Sequence, residues 1–216
     1  MGAIHLIRHG QASWGAEDYD QLSDRGTQQG SLLGTSWEAG DWAPTHSVAG
    51  SLRRHAQTAV AAIDACGTGD GYDVDAGWDE YDVSVLLQAV REQSGGREVA
   101  PREFQPLLDA ALMRWIDGEE GLGSSFAEFS DAVLGALERT VARAGQSGEQ
   151  VAVFTSGGPI GLVVSHLLAG DASLFVRLNA VVVNASVTTI IVGSTGARLL
   201  TFNEHGHLPR DLVTFR

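Results

Sequence analysis

The chain has 216 residues, 44% hydrophobic and 19% charged, so it can bury a sizeable core and is no disordered tract. Twenty-seven acidic residues against 14 basic ones leave a formal charge of −13, which argues against a nucleic-acid or anionic-membrane surface and makes any cluster of arginines informative. A single cysteine, Cys66, allows no internal disulfide and fits a cytoplasmic protein.

The length suits one α/β domain spanning 1–216. No run of 18 apolar residues suggests a membrane span, and the amino terminus lacks the basic start and apolar stretch of a secretion signal. The first strand is expected from Ala3 to Arg8, followed by a polar loop to Leu22. Ser23 is a plausible N-cap for a helix carrying Leu32, Leu33 and Trp37 at helical spacing. Gly26, Gly30 and Gly34 on that helix would let it lie close against a sheet. "HSVAGS" reads as a second strand and "HAQTAVAAIDA" as a helix, with "GTGDG" a loop and Tyr72 and Val74 a brief edge strand.

From Asp79 to Gly148 the pattern is helical. Helices are expected near Val83 to Gln93 and Pro101 to Asp117, and Ser125-Phe-Ala-Glu128 reads as a capping box opening a third to about Ala144. The segment at about 82–148 is expected to be a helical insertion, with Ser84 to Gly123 forming a lid. "QVAVFTS" suits a central buried strand, and Gly157-Gly158-Pro159 starts a helix. A short helix over Asp171 to Leu178 and the strands "ASVTTIIVG" and "ARLLTFN" complete the chain. Strands alternating with helices imply a mostly parallel central sheet with helices on both faces, a three-layer α/β/α sandwich. Trp37, Trp42 and the valines 181–183 suit either a core or a homodimer interface.

In such sheets ligands bind beyond the carboxyl ends of strands. Three of those ends carry unusual chemistry: Arg8-His9-Gly10, the Arg53-Arg54 pair, and Thr155-Ser156-Gly157-Gly158. Arginine forks match phosphate oxygens, and nearby guanidinium charge keeps an imidazole neutral. A neutral His9 against a bound phosphoryl group is a covalent nucleophile. "WDEYD" offers Asp79, Glu80 and Asp82 as the acid for the leaving oxygen, with a carboxyl pKa raised by a nearby phosphate's charge. Backbone N–H groups at Gly157 would bind phosphoryl oxygens. Taken singly, each motif has an ordinary structural explanation; their order and their places at strand ends set them apart. His5, His46, His55 and His166 read as packing or hydrogen-bonded histidines.

"LIRHGQASWG", "QLSDRGTQQG", "GSLRRHAQTA", "WDEYD", "NASVTTIIV" and "FNEHGHL" occur in that order along nearly the whole chain. Together they resemble the histidine phosphatase superfamily, whose fold is phosphoglycerate mutase-like. The resemblance implies that His9 is transiently phosphorylated and that Arg8 and Arg54, rather than Arg53, hold the phosphoryl group. It further implies that Glu80 acts as acid and then as base, that Gln11 and Ser13 touch substrate, and that no metal or other cofactor takes part.

One position departs from the pattern. The family completes its phosphate pocket with a second histidine, where this chain has Ser156, followed by Gly157. A serine hydroxyl donates one hydrogen bond but brings no charge, a loss of roughly 2–4 kcal/mol of transition-state stabilisation. His205 or His207, after the last strand, could compensate, although an anchor for the carboxyl-terminal tail is the better reading of His207. The expected activity is hydrolysis of a small phosphorylated substrate. Phosphoglycerate mutase-type transfer, or a catalytically weak phosphate-binding or regulatory protein, are the alternatives. Arg91, Arg97, Arg102 and Arg114 lie scattered among acids, which favours hydrolysis over transfer to a sugar acid.

Overall fold

A computed structural model describes residues 1–13, 20–69, 71–97, 99–119, 121–122, 125–145 and 148–215. Part of the expected polar loop before Leu22, residues 14–19, lies outside them. The elements run β1 (Gly2–Arg8), α1 (Asp24–Ala39), β2 (His46–Ala49), α2 (Arg53–Cys66), β3 (Asp73–Val74) and a 3-10 turn at Ala76–Trp78. There follow α3 (Val83–Gln93), α4 (Pro101–Ile116), α5 (Phe126–Ala144), β4 (Gln150–Thr155), α6 (Gly157–Ala169), α7 (Phe175–Asn179), β5 (Val187–Gly193) and β6 (Gly196–Glu204).

The strands form one sheet in the order β3-β2-β4-β1-β5-β6. β1, β2, β3 and β4 are joined by parallel pairing, while β5 lies antiparallel to both β1 and β6. The sheet is therefore mostly parallel, with helices on both faces. Side-chain alternation decides which residue meets which layer. Ile4 and Leu6 of β1, with Val151 and Val153 of β4, join the larger apolar cluster with α5 and α6. Their neighbours Ile7, Ala152 and Phe154 point the other way, onto Leu33 and Trp37 of α1 and Ala59, Ala62 and Ile63 of α2. Trp37, Val182 and Val183 are buried in the core, while Val181 is exposed.

Side-chain caps mark the starts of α1 and α5. Ser23 accepts from the Gly26 N–H and so opens α1. Ser125 and Glu128 form a reciprocal capping box at α5. The expected helix over Asp171 to Leu178 begins only at Phe175. The Asp171 carboxylate accepts from the Ser173 N–H at 2.9 Å, and Ser165 Oγ accepts from the Leu174 N–H at 3.0 Å. Those side chains satisfy the backbone in a turn, and the helix gains nothing by starting earlier.

Two other expectations are corrected. The glycines of α1 approach α2 and the loop after β1 rather than the sheet. A Cβ on Gly34 would fall 2.0 Å from the Ala62 carbonyl oxygen, and one on Gly26 would fall 2.1 Å from that of Gln11. The inserted segment is also divided. Side chains of α3 and α4 line the cleft described below, whereas α5 packs on β1, β4 and α6 as part of a sandwich layer. Its buried stripe of Phe129, Val133, Ala136, Leu137, Thr140 and Ala144 requires an apolar surface to cover it.

Two glycine substitutions should move stability in opposite directions. Gly34→Ala forces α1 off α2 and should lower stability by about 1–3 kcal/mol. Gly135→Ala, where a new Cβ meets only the Arg139 side chain at 3.4 Å, should raise it. The gain expected is about 0.5–1 kcal/mol, from better helix propensity. Urea unfolding midpoints measure both, and a neutral Gly34→Ala would contradict the close packing of α1 on α2.

Candidate active site

Parallel pairing sets Arg8 of β1 opposite Thr155 of β4, so the two strands end together. The pairing carries on for one residue, because the His9 N–H donates to the Thr155 carbonyl at 2.8 Å. On the other side, the Ala185 N–H donates to the Arg8 carbonyl at 3.0 Å and Asn184 Nδ2 donates to the His9 carbonyl at 3.1 Å. The Gly10 N–H donates to Thr58 Oγ1, which in turn donates to the Arg54 carbonyl at 2.7 Å. The loop after β1 is thereby tied to the first turn of α2, which delivers Arg54.

His9 is buried, and its Nδ1 lies 2.7 Å from the Gly10 carbonyl oxygen. A carbonyl only accepts, so Nδ1 carries the hydrogen and Nε2 keeps its lone pair. Burial, followed by the charges of Arg54 and Arg8, holds the imidazole pKa well below 6.5. The sequence reading credited the arginines with this effect; desolvation is the larger cause. Arg54 is only 8% exposed and lines the cleft, whereas Arg53 is exposed to solvent. Their order on the helix decides this, since adjacent residues point about 100° apart. Asp20 accepts from Arg54 Nη1 at 2.7 Å and from the Arg53 N–H at 2.8 Å. The Arg8 guanidinium donates to the Val182 carbonyl.

Among the three acids of "WDEYD", Glu80 faces the cleft. Its Oε2 accepts from the Gly158 N–H at 3.2 Å, in the first turn of α6. A Cβ on Gly158 would fall 2.0 Å from Glu80 Oε1, so only glycine admits the carboxyl group there. Burial raises the Glu80 pKa, against the opposing effects of the Gly158 N–H and the two arginines. The rise needs no bound phosphate. Asp79 instead binds the backbone N–H of Ser51 at 2.6 Å and its hydroxyl, and Asp82 caps α3 through the Ser84 N–H.

These groups share a cleft of about 140 Å³. Arg8, His9, Arg54, Glu80 and Gly157 line its floor, and Val83, Leu87, Phe104, Leu108 and Phe215 contribute apolar walls. Tyr81 and Asn179 line it as well, joined by an Asn179 Nδ2 to Tyr81 hydroxyl bond of 3.0 Å. Sequence reasoning passed over Asn179 and Phe215, which carry no local signal; Tyr81 at least stood beside the chosen acid.

Several predicted site residues do not line the cleft. Gln11 donates its N–H to Gln29 and accepts from Ser23 Oγ through its side chain, and the Ser13 N–H donates to the Gln21 carbonyl. His205 Nδ1 lies 2.7 Å from the Asn203 carbonyl, and His207 bonds the backbone of Ala185 with its pKa lowered to about 4, chiefly by burial. Neither ring compensates from within the cleft. Ser156 is buried one residue before Gly157. The imidazole packed beside His9 belongs to His55, assigned to packing in the sequence reading, with ring centroids 5.8 Å apart.

The sequence matches none of the curated proteins compared with it. Solved structures resemble it closely in fold at low identity. A phosphoserine phosphatase from Entamoeba histolytica in complex with phosphoserine aligns with TM-score 0.69 and 18% identity, over 97% of this chain and 100% of that one. A phosphoglycerate mutase from Bacillus anthracis str. Sterne aligns with TM-score 0.67 and 16% identity, over 95% and 94%. An alpha-ribazole phosphatase from Shigella flexneri aligns with TM-score 0.67 and 17% identity, over 94% and 96%. The family model described as Histidine phosphatase superfamily (branch 1) matches residues 4–205, nearly the whole chain. A sheet strand that ends in a buried histidine, its pKa lowered by burial and two arginines, thus comes with a family match over residues 4–205, and the chain belongs to the histidine phosphatase superfamily, branch 1.

Proposed function

We propose that this protein is a phosphomonoesterase that works through a phosphohistidine on His9. The observation that carries the reading is His9 itself: a neutral ring, its Nε2 lone pair free, in one cleft with Arg8, Arg54 and Glu80. Arg8, Arg54 and the Gly157 N–H bind the phosphoryl oxygens. Nε2 attacks phosphorus, and the bond from phosphorus to the ester oxygen breaks. Glu80, whose carboxyl pKa burial raises, gives its proton to the departing oxygen. The resulting carboxylate then takes a proton from water. That water's oxygen attacks phosphorus, the P–N bond breaks, and inorganic phosphate leaves.

Hydrolysis is favoured over a mutase reaction by the walls. A sugar acid needs a cation for its carboxylate. Among the described residues, the only cationic side chains lining the cleft are Arg8 and Arg54 on its floor. Arg97 pairs with Glu103 and Arg114 with Glu119, away from the cleft. The apolar side chains of α3 and α4 act as a lid that fits a small ester with an apolar portion. A weak phosphate-binding protein is the second reading, motivated by Ser156 in place of a charged donor. Among the described residues no helix is long and apolar enough to cross a membrane, and we read the protein as cytoplasmic.

Purified protein should hydrolyse p-nitrophenyl phosphate, and His9→Ala should lower turnover by at least about 10³-fold. Intact-mass analysis after an alkaline quench should find one phosphoryl adduct on the wild type and none on His9→Ala. Phosphate binding without turnover above that variant would favour the second reading.

Glu80 sets the alkaline side of the pH profile. Its raised pKa keeps the proton available at low pH, and kcat/KM should fall as pH rises through that pKa. On the acid side, activity should persist below the ordinary histidine range, because His9 stays neutral there. Glu80→Gln should slow phosphoenzyme formation from an alkyl phosphate about 10²–10⁴-fold, and far less from p-nitrophenyl phosphate, whose leaving group needs no proton. Equal losses on both esters would remove Glu80 as the acid.

With 3-phosphoglycerate supplied, turnover should be poor and should yield free phosphate rather than 2-phosphoglycerate; efficient isomerisation would establish a mutase.

A further inference from the structure

His55 is fully buried in the first turn of α2, directly after Arg54. The reaction proposed above gives it no task. Its Nε2 is 2.7 Å from Ser156 Oγ. Its Nδ1 makes no hydrogen bond among the described residues. The nearest carboxylate oxygen, Asp79 Oδ1, stands 3.7 Å away and accepts instead from the Ser51 N–H at 2.6 Å. The ring is held closely: a Cβ on Gly50 would fall 2.3 Å from Nδ1.

Burial, then Arg54, lowers the His55 pKa to about 3, so the ring is neutral and has one N–H. On Nδ1 that hydrogen would be buried with no acceptor in reach; on Nε2 it has Ser156 Oγ. The Ser156 hydroxyl makes no other hydrogen bond among the described residues, and it does not cap α6. Its own hydrogen is left for a further acceptor. Ser156 immediately precedes Gly157, which lines the cleft floor with His9 and Arg54.

We propose that His55 is a positioning residue for phosphoryl transfer: its Nε2–H donates to Ser156 Oγ and so directs the Ser156 hydroxyl hydrogen to a phosphoryl oxygen at the start of α6. Donation into Oγ polarises the hydroxyl and strengthens its own donation. The His55–Ser156 pair thereby stands in for a second imidazole, with the ring supplied by α2 rather than α6. The proposal rests on the phosphatase reading, in that it needs a phosphoryl group at the cleft floor.

Orthovanadate, which mimics pentacoordinate phosphorus, reads the pocket without a known substrate; p-nitrophenyl phosphate reads turnover. His55→Ala should weaken vanadate binding and lower kcat about tenfold or more, with KM changed little. Ser156→Ala should do the same, and the two losses should not add. His55→Ala combined with Ser156→His returns an imidazole to the vacated space from the α6 side and should recover most of both losses, which a mere packing role would not predict. Thermal unfolding shows which variants fold; if His55→Ala does not, Ser156→Ala and the double variant decide the matter. Wild-type vanadate affinity and kcat in either single variant would overturn the proposal, as would a double variant as weak as Ser156→Ala. Wild type that binds vanadate yet hydrolyses nothing would refute the phosphatase reading, and the vanadate comparison would still decide the role of His55.

Discussion

The parallel pairing of β1 with β4 is the constraint from which the site follows. Its register sets Arg8 opposite Thr155, and the His9 N–H continues the ladder onto the Thr155 carbonyl. Both strands are buried on both faces, so neither can slip without carrying a whole row of side chains into the wrong layer. The end of β1 and the start of α6 therefore meet at a fixed point. For the nucleophile role proposed for His9, that fixed placement supplies the alignment that attack on phosphorus requires.

Burial shifts His9 and Glu80 with opposite signs, yet in each case it favours the uncharged form. It lowers the pKa of His9 and raises that of Glu80, because in each case it penalises the charged form. The arginines reinforce the first shift and oppose the second. An imidazole and a carboxyl group, both shifted toward their neutral forms, then face the same cleft, which is the state the proposed attack and protonation require. Gly158 is the structural condition for this pairing, since any side chain there would collide with the Glu80 carboxyl group.

The upper cleft is built by a different logic. Its walls come from α3, α4, the turn after α7 and Phe215 near the carboxyl terminus, segments far apart in sequence. They add apolar surface where the floor adds charge. Under the proposed phosphatase reading, such a division lets the floor hold the phosphoryl group while the walls select the rest of the molecule. The tail is fixed there by Asn184, whose N–H donates to the Thr214 carbonyl and whose Oδ1 accepts from the Thr214 hydroxyl.

The sequence by itself determined the order of elements, the mostly parallel sheet with helices on both faces, and the charged residues at its strand ends. The apolar runs of β1 and β4, the caps Ser23 and Ser125, and the arginine and histidine at strand ends are local signals, written in adjacent residues. What only the tertiary structure decided depends on contacts across the chain. The glycine stripe of α1 could have met a sheet or a helix, and only packing shows that it meets α2. Phe215 and Asn179 reach the cleft from remote segments that carry no motif. For His205 and His207 a place in the pocket and an anchoring role were both open from sequence, and their hydrogen bonds to backbone hold them outside the cleft. His55 looked like one more core histidine, and the ring's proximity to both His9 and Ser156 arises only when α2 folds against the end of β4. A side chain's neighbours in space follow from how helices dock, and docking is set by the sum of many burials rather than by any one stretch of residues.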